Sequence, residues 1–107
     1  MAREIRETGV RPMKITGFIW LPAIIEKLAT KHAVFPEEVE EVFENAPRFR
    51  FVEKGTRDDE NVYMATGQTD GGRYLIVLFL YKPLTGQALI LSARDMMPKE
   101  RKRHDRK

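Results

Sequence analysis

Residues 69–94 read TDGGRYLIVLFLYKPLTGQALILSAR, and the fold turns on this stretch. Thr69-Asp70-Gly71-Gly72 predicts a hairpin turn, because Asp-Gly and Gly-Gly steps tolerate positive φ. From Arg73 to Tyr81 the chain is apolar on both faces after its first residue, the pattern of a central strand with layers above and below. Leu75, Val77 and Phe79 then share one face, and Ile76, Leu78 and Leu80 the other. Lys82–Gly86 turns the chain again, and Gln87–Ser92 returns as a further strand. Tyr74–Tyr81 is the longest unbroken apolar run, far short of the ~20 residues a membrane span needs.

Upstream, Asn61–Gln68 reads as the strand that enters this hairpin, preceded by a polar loop at Lys54–Glu60. Arg48-Phe49-Arg50-Phe51 alternates with period 2, a half-buried strand with its arginines outward. Before Pro47 the period is 3.6. Pro36 opens a helix with Val39, Val42 and Phe43 as its buried stripe and Glu37, Glu38, Glu40, Glu41 and Glu44 as its wet face. Pro22 opens another helix, running to His32 with Ile24, Ile25, Leu28 and Ala29 inward. Ile15–Trp20 reads as a short first strand, and residues 1–14 as a flexible N-terminal arm. Pro98 starts a last short helix that runs into the tail. The predicted order is β-α-α-β-β-β-β-α. This is a single α+β domain over 15–107, an antiparallel sheet of four to five strands with two N-terminal helices on one face and a short C-terminal helix.

At 107 residues the chain has room for one core. It contains no cysteine, which excludes disulfides, thiolate nucleophiles and cysteine zinc sites. MAREIRETGV lacks the apolar segment of a secretory signal. A cytoplasmic setting, with no membrane association, fits these features. The net charge of +3 is concentrated in residues 99–107, KERKRHDRK, which carry a local +4. A basic tail of this kind suits a polyanion such as RNA, or simple solvation.

Familiar catalytic signatures are missing: no G-x-S-x-G, no phosphate-binding glycine loop, no H-E-x-x-H. Two histidines, His32 and His104, do not make a metal site unaided, and no cofactor is called for. What stands out is a set of cations and imidazoles near predicted element ends: Lys31, His32, Arg73, Arg94, Arg101 and His104. RNA cleavage without a metal runs on such groups. It needs one group for the 2′-hydroxyl proton, one for the 5′-oxygen and cations for the phosphate. Each residue also has a plainer explanation. Lys31 and His32 suit a helix C-terminus, Arg73 a solvated strand end, Arg94 an ion pair with Asp95 or a glutamate, and His104 a solvated tail.

The ordered series from Phe18 onward carries a family resemblance. It comprises Trp20, Lys31-His32, Val34, Glu37-Glu38, Val42-Phe43, Gly67, Gly72-Arg73, Ile90-Leu91-Ser92-Ala93-Arg94 and Glu100-Arg101. The chain resembles the BrnT-type toxins of bacterial type II toxin–antitoxin pairs, a branch of the RelE-like ribonucleases. The resemblance implies endoribonuclease activity on mRNA and a small DNA-binding antitoxin, of ribbon-helix-helix type, as partner. Lys31, His32, Arg73, Arg94 and His104 are then the candidate catalytic residues. Lys82, Lys99, Arg101, Lys102 and Arg103 are the candidate RNA-binding ones. Positions where the family pattern carries other residues are Leu21, Ile24, Ala33, Val62, Lys82 and His104. The missing arginines leave a second reading open, a binding module that keeps the fold without the chemistry. If one phosphate is to be handled, Lys31, His32, Arg73 and Arg94 must converge on one face.

Overall fold

The computed structural model describes residues 13–57 and 59–105. Its elements are β1 (Gly17–Ile19), α1 (Pro22–His32), α2 (Pro36–Glu44), β2 (Arg48–Lys54), β3 (Asn61–Gln68), β4 (Tyr74–Lys82), β5 (Gln87–Asp95) and α3 (Pro98–Asp105). Both early helices begin with proline at the first helical position, where its missing N–H costs nothing. The N–H of Phe35 donates to the Glu38 carboxylate at 3.1 Å and closes the start of α2. α1 ends at Ala33, a non-glycine residue in the left-handed region at φ 52°. That cap is held from outside, as described below.

The sheet order is β1-β5-β4-β3-β2, with β4 at the centre as its doubly apolar sequence predicts. β2 to β5 form an antiparallel meander. β1 departs from the expected pattern by joining β5 in parallel, which makes the sheet mixed. The chain enters β1 beside the β4–β5 turn, where the Thr16 N–H donates to the Gly86 carbonyl at 2.7 Å, and so runs in the direction of β5. Gly86 has φ +78°, and a Cβ there would lie 2.8 Å from Thr16 Oγ1, so the turn and the first strand require glycine together.

One face of the sheet carries the core. Leu75, Val77 and Phe79 of β4 are fully buried with Ala65, Ile90 and Ala93, against Leu28 of α1, Val34, and Val39 and Val42 of α2. Phe43, Phe49 and Tyr63 pack around Phe79 in edge-on and stacked pairs, and Phe18 meets Phe43 edge-on. A bulge between Leu78 and Phe79 keeps both Ile90 and Ala93 on this side. The opposite face differs from the expectation of a second full layer. Ile76 is buried, but Leu78 and Leu80 are only half-buried. Among the described residues its only helical cover is α3, which places no fully buried residue of its own. Of the expected N-terminal arm, residues 1–12 lie outside the described residues, and Met13 packs against the core.

Candidate functional site

Alternation along β5 sends Arg94 and Asp95 to opposite faces of the sheet, and two cation clusters follow. On the helix-covered side Arg73 is the hub. Its Nε and Nη2 donate to the two oxygens of Asp95, at 2.7 and 3.1 Å. Nη1 donates to Glu38 at 3.0 Å and to the Ala33 carbonyl at 2.8 Å, while Nη2 also reaches the His32 carbonyl at 2.9 Å. Five donors have five partners. The guanidinium ties the end of α1, the start of α2 and the end of β5 into one corner. Asp95 is held below the usual carboxylate range, chiefly by its hydrogen bond from Arg73. His32 contributes its backbone carbonyl to this corner, and Lys31 is exposed beside it.

The expected convergence of Lys31, His32, Arg73 and Arg94 therefore does not occur. Arg73 stays with the α1 terminus, and Arg94 faces α3. The physical reason is the strand period: a residue next to a core-facing position points away from it.

The second cluster lies where α3 crosses the open face. Arg94 and Glu100 form a fork-to-fork pair, Nη1 to Oε1 and Nη2 to Oε2, both at 2.9 Å. Glu100 also accepts the Met97 N–H at 2.8 Å. Together these hold its carboxyl at about 2, with the Arg94 hydrogen bond the larger cause, and they tether the first turn of α3 to β5. Further along, Arg101 lies over the Tyr74 ring at 4.1 Å, and the Tyr74 hydroxyl donates to Asp105 at 3.1 Å. His104, read from sequence as a residue of a charged tail, is half-buried against the sheet. Its Nδ1 is 3.1 Å from the Thr66 hydroxyl of β3, and its ring meets Tyr74 edge-on at 5.9 Å.

Between α3 and the strands runs a cleft of about 360 Å³ with Met64, Thr66 and Ile76 at its floor. Its walls carry Arg48 and Arg50 from β2, Arg94 from β5, and Glu100, Arg103 and His104 from α3. Among the described residues, no carboxylate lies within ion-pair distance of Arg48, Arg50 or Arg103. Among those same residues, the single acid lining the cleft is already committed to Arg94. The His104 imidazole titrates below its ordinary value, first because burial disfavours its charged form and then because Arg48 repels a second cation; Asp105 opposes this. The cleft thus pairs a neutral-leaning imidazole with guanidinium groups that are open to an anion.

Of the remaining sequence-predicted residues, Lys99, Arg101 and Lys102 line a separate groove on the outer side of α3. Lys82 sits six residues beyond Ile76 on β4, about 20 Å along the strand. It is bound to Glu60 at 3.1 Å and takes no part in the cleft. Sequence reading passed over Arg48, Arg50 and Thr66 as site residues. The signal was available in part. The R-F-R-F alternation puts both arginines on the face opposite Phe49 and Phe51, and β2–β3 pairing sets Arg48 opposite Thr66.

The chain matches the family model of the ribonuclease toxin BrnT of type II toxin–antitoxin systems over residues 20–100. That span includes Arg48, Arg50, Thr66 and Arg94 and stops short of His104. The crystal structure of the Brucella abortus ribonuclease toxin BrnT is similar in fold, with a TM-score of 0.54 and 20% identity, covering 80% of this chain and 99% of that one. No curated protein matches the chain.

Proposed function

Because the chain belongs to the BrnT family of type II toxin–antitoxin ribonuclease toxins, we propose that it cleaves mRNA in the α3 cleft without a metal, by 2′-hydroxyl attack. The observation that carries this reading is His104, half-buried and biased toward its neutral form, beside arginines that have no acid within ion-pair distance among the described residues. A scissile phosphate in the cleft is bound by Arg48, Arg50 and Arg103. His104 Nε2 takes the 2′-hydroxyl proton as the 2′-oxygen attacks phosphorus. The bond to the 5′-oxygen breaks, and that oxygen takes a proton from water at the cleft mouth. The products are a 2′,3′-cyclic phosphate and a 5′-hydroxyl end. Charge growing on the phosphate in the transition state is met by preplaced guanidinium groups, which reorganise little. Arg94 acts with Glu100 to hold α3, and with it His104, over the sheet.

Lys99, Arg101 and Lys102 extend the cationic surface around α3 and supply affinity for flanking phosphates. The partner is an antitoxin protein of ribbon-helix-helix type. The expected result is cleavage of single-stranded RNA that persists in EDTA and yields cyclic-phosphate ends. His104→Ala should lower it by about 10²–10⁴-fold, the range for loss of a general acid–base group. Unchanged cleavage in that variant excludes His104 from the chemistry. One observation favours the binding-module alternative: Arg94, one of the cations that the resemblance puts forward, is already locked to Glu100. RNA that binds in the cleft and emerges intact decides for that alternative.

A further inference from the structure

The surroundings of the imidazole carry one step more, which rests on the reading of His104 as the proton acceptor. We propose that Thr66 is a positioning residue that accepts the His104 Nδ1 proton and so keeps Nε2 bare and directed at the substrate. The Thr66 hydroxyl is 3.1 Å from Nδ1, and among the described residues it makes no other side-chain hydrogen bond. Tyr74 meets the ring edge-on, and its own hydroxyl is anchored to Asp105, so ring rotation is restricted from a second side. Among the described residues Nε2 is left as the ring nitrogen without a partner, and the ring borders both the arginine-lined cleft and a second hollow lined by Asn45, Gln68 and Asp70.

A hydroxyl both donates and accepts, so geometry alone allows either tautomer. Electrostatics selects one. The charged groups around the ring are Arg48 and Arg50 from β2, Asp70 from the β3–β4 turn, Arg94 from β5, and Glu100, Arg101, Arg103 and Asp105 from α3 itself. Glu100 is neutralised by Arg94, and Asp105 lies on the Tyr74 side, so guanidinium charge dominates the cleft. A lone pair facing these cations is favoured over an N–H facing them. The proton therefore resides on Nδ1 and points at Thr66 Oγ1. This is the same logic by which a metal-bound or catalytic histidine is set through its second nitrogen. β3 supplies the partner because its period brings Thr66 to the open face, level with Ile76 on β4 and Arg48 on β2.

The chain has two histidines, so a histidine-labelled ¹⁵N spectrum contains two rings, and His104→Gln assigns them. The wild-type His104 ring is expected in the Nδ1–H form. Thr66→Val keeps the β-branched shape that suits a strand while deleting the hydroxyl. It should move the ring toward the Nε2–H form and lower kcat by about tenfold to a hundredfold, a share of what a general base supplies. KM should stay within about twofold, since the phosphate-binding arginines are untouched. Thr66→Ser should restore both the spectrum and kcat. An unchanged tautomer and kcat in Thr66→Val overturns the proposal. If His104→Gln is inactive while Thr66→Val is not, only the positioning role falls. If His104→Gln cleaves at the wild-type rate, the catalytic reading falls and this inference with it.

Discussion

Arg73, saturated by its neighbours, and Arg48 and Arg50, which line the cleft, lie on opposite faces of the sheet. Beneath α1 and α2, Arg73 aims all five donors at two carboxylates and two backbone carbonyls, and nothing of its charge is left for a ligand. Beneath α3, Arg48, Arg50 and Arg103 surround a cleft whose one acid among the described residues, Glu100, is already paired with Arg94. The covered face is filled by interlocking apolar side chains, and its cation closes a corner of that packing. The open face carries half-buried apolar residues, with Met64 and Ile76 at the floor of its cleft. A cation's role is thus set by the partners its neighbours provide, and two arginines of similar appearance in sequence serve opposite ends.

The contrast is tested most severely by packing. Phe79→Ala should cost about 3–5 kcal/mol of unfolding free energy, because the cavity opens at the centre of the aromatic cluster. Met64→Ala, on the floor of the cleft, should cost about 1 kcal/mol, since a half-buried side chain returns less apolar area to water. Urea denaturation of the two variants measures the difference, and equal destabilisation would erase the distinction between the faces.

The arginines sharpen it. Arg73→Ala leaves Asp95, Glu38 and the α1 terminus without their donor, and should cost about 2 kcal/mol, as charge-assisted hydrogen bonds do when they are half-exposed. Arg48→Ala should leave stability within about 0.5 kcal/mol. In an RNA cleavage assay it should be slower by about a hundredfold, as for loss of one transition-state donor. Reversal of this pattern, with Arg73→Ala stable but inactive, would move the site to the other face.

Acid titration separates the two roles within α3. Glu100 is depressed from 4.5 to about 2, so the stability it contributes is present above 4.5 and is lost as pH falls toward about 2. His104 is depressed below 6.5, so its neutral form favours the fold above that value, and stability declines as pH drops through the folded value. Thermal melts against pH should show two declines, with Glu100→Gln removing the more acidic one and His104→Gln the other. A single decline that both substitutions leave in place would show that α3 is not held by these groups.

The smallest effects belong to the periphery. Lys31→Ala and His32→Ala should cleave RNA at the wild-type rate, since both residues lie with Arg73. Lys99→Ala and Lys102→Ala should each flatten the slope of log affinity against log salt by about 0.7 for every phosphate no longer neutralised, without changing the cleavage pattern. A large fall in kcat for Lys31→Ala would reopen the case for the helix-covered corner.

Much of the architecture is written locally. The alternation of Arg48–Phe51, the two glycine turns, the prolines opening each helix and the doubly apolar β4 specify the elements and their order, because period and turn chemistry act over a few residues. The same signals place β4 at the centre and Glu37 and Glu44 of α2 outward, whereas Glu38, Glu40 and Glu41, expected on the same wet face, are half-buried as acceptors for Arg73, Trp20 and the Asp70 N–H. What they do not reach is pairing across long separations. Arg73 meets residues 22 to 41 positions away, and His104 meets Thr66 at a separation of 38. Whether a cation is saturated or open, and whether a tail histidine is solvated or buried, depends on which elements pack beside it. The parallel seat of β1 depends likewise on the Gly86 turn that receives it. Sequence by itself determined the elements, the meander and the apolar face of the sheet, through short-range periodicity. Tertiary structure alone decided which arginines became structural and which line the cleft, because side-chain electrostatics is settled by neighbours that only folding brings within about 3 Å.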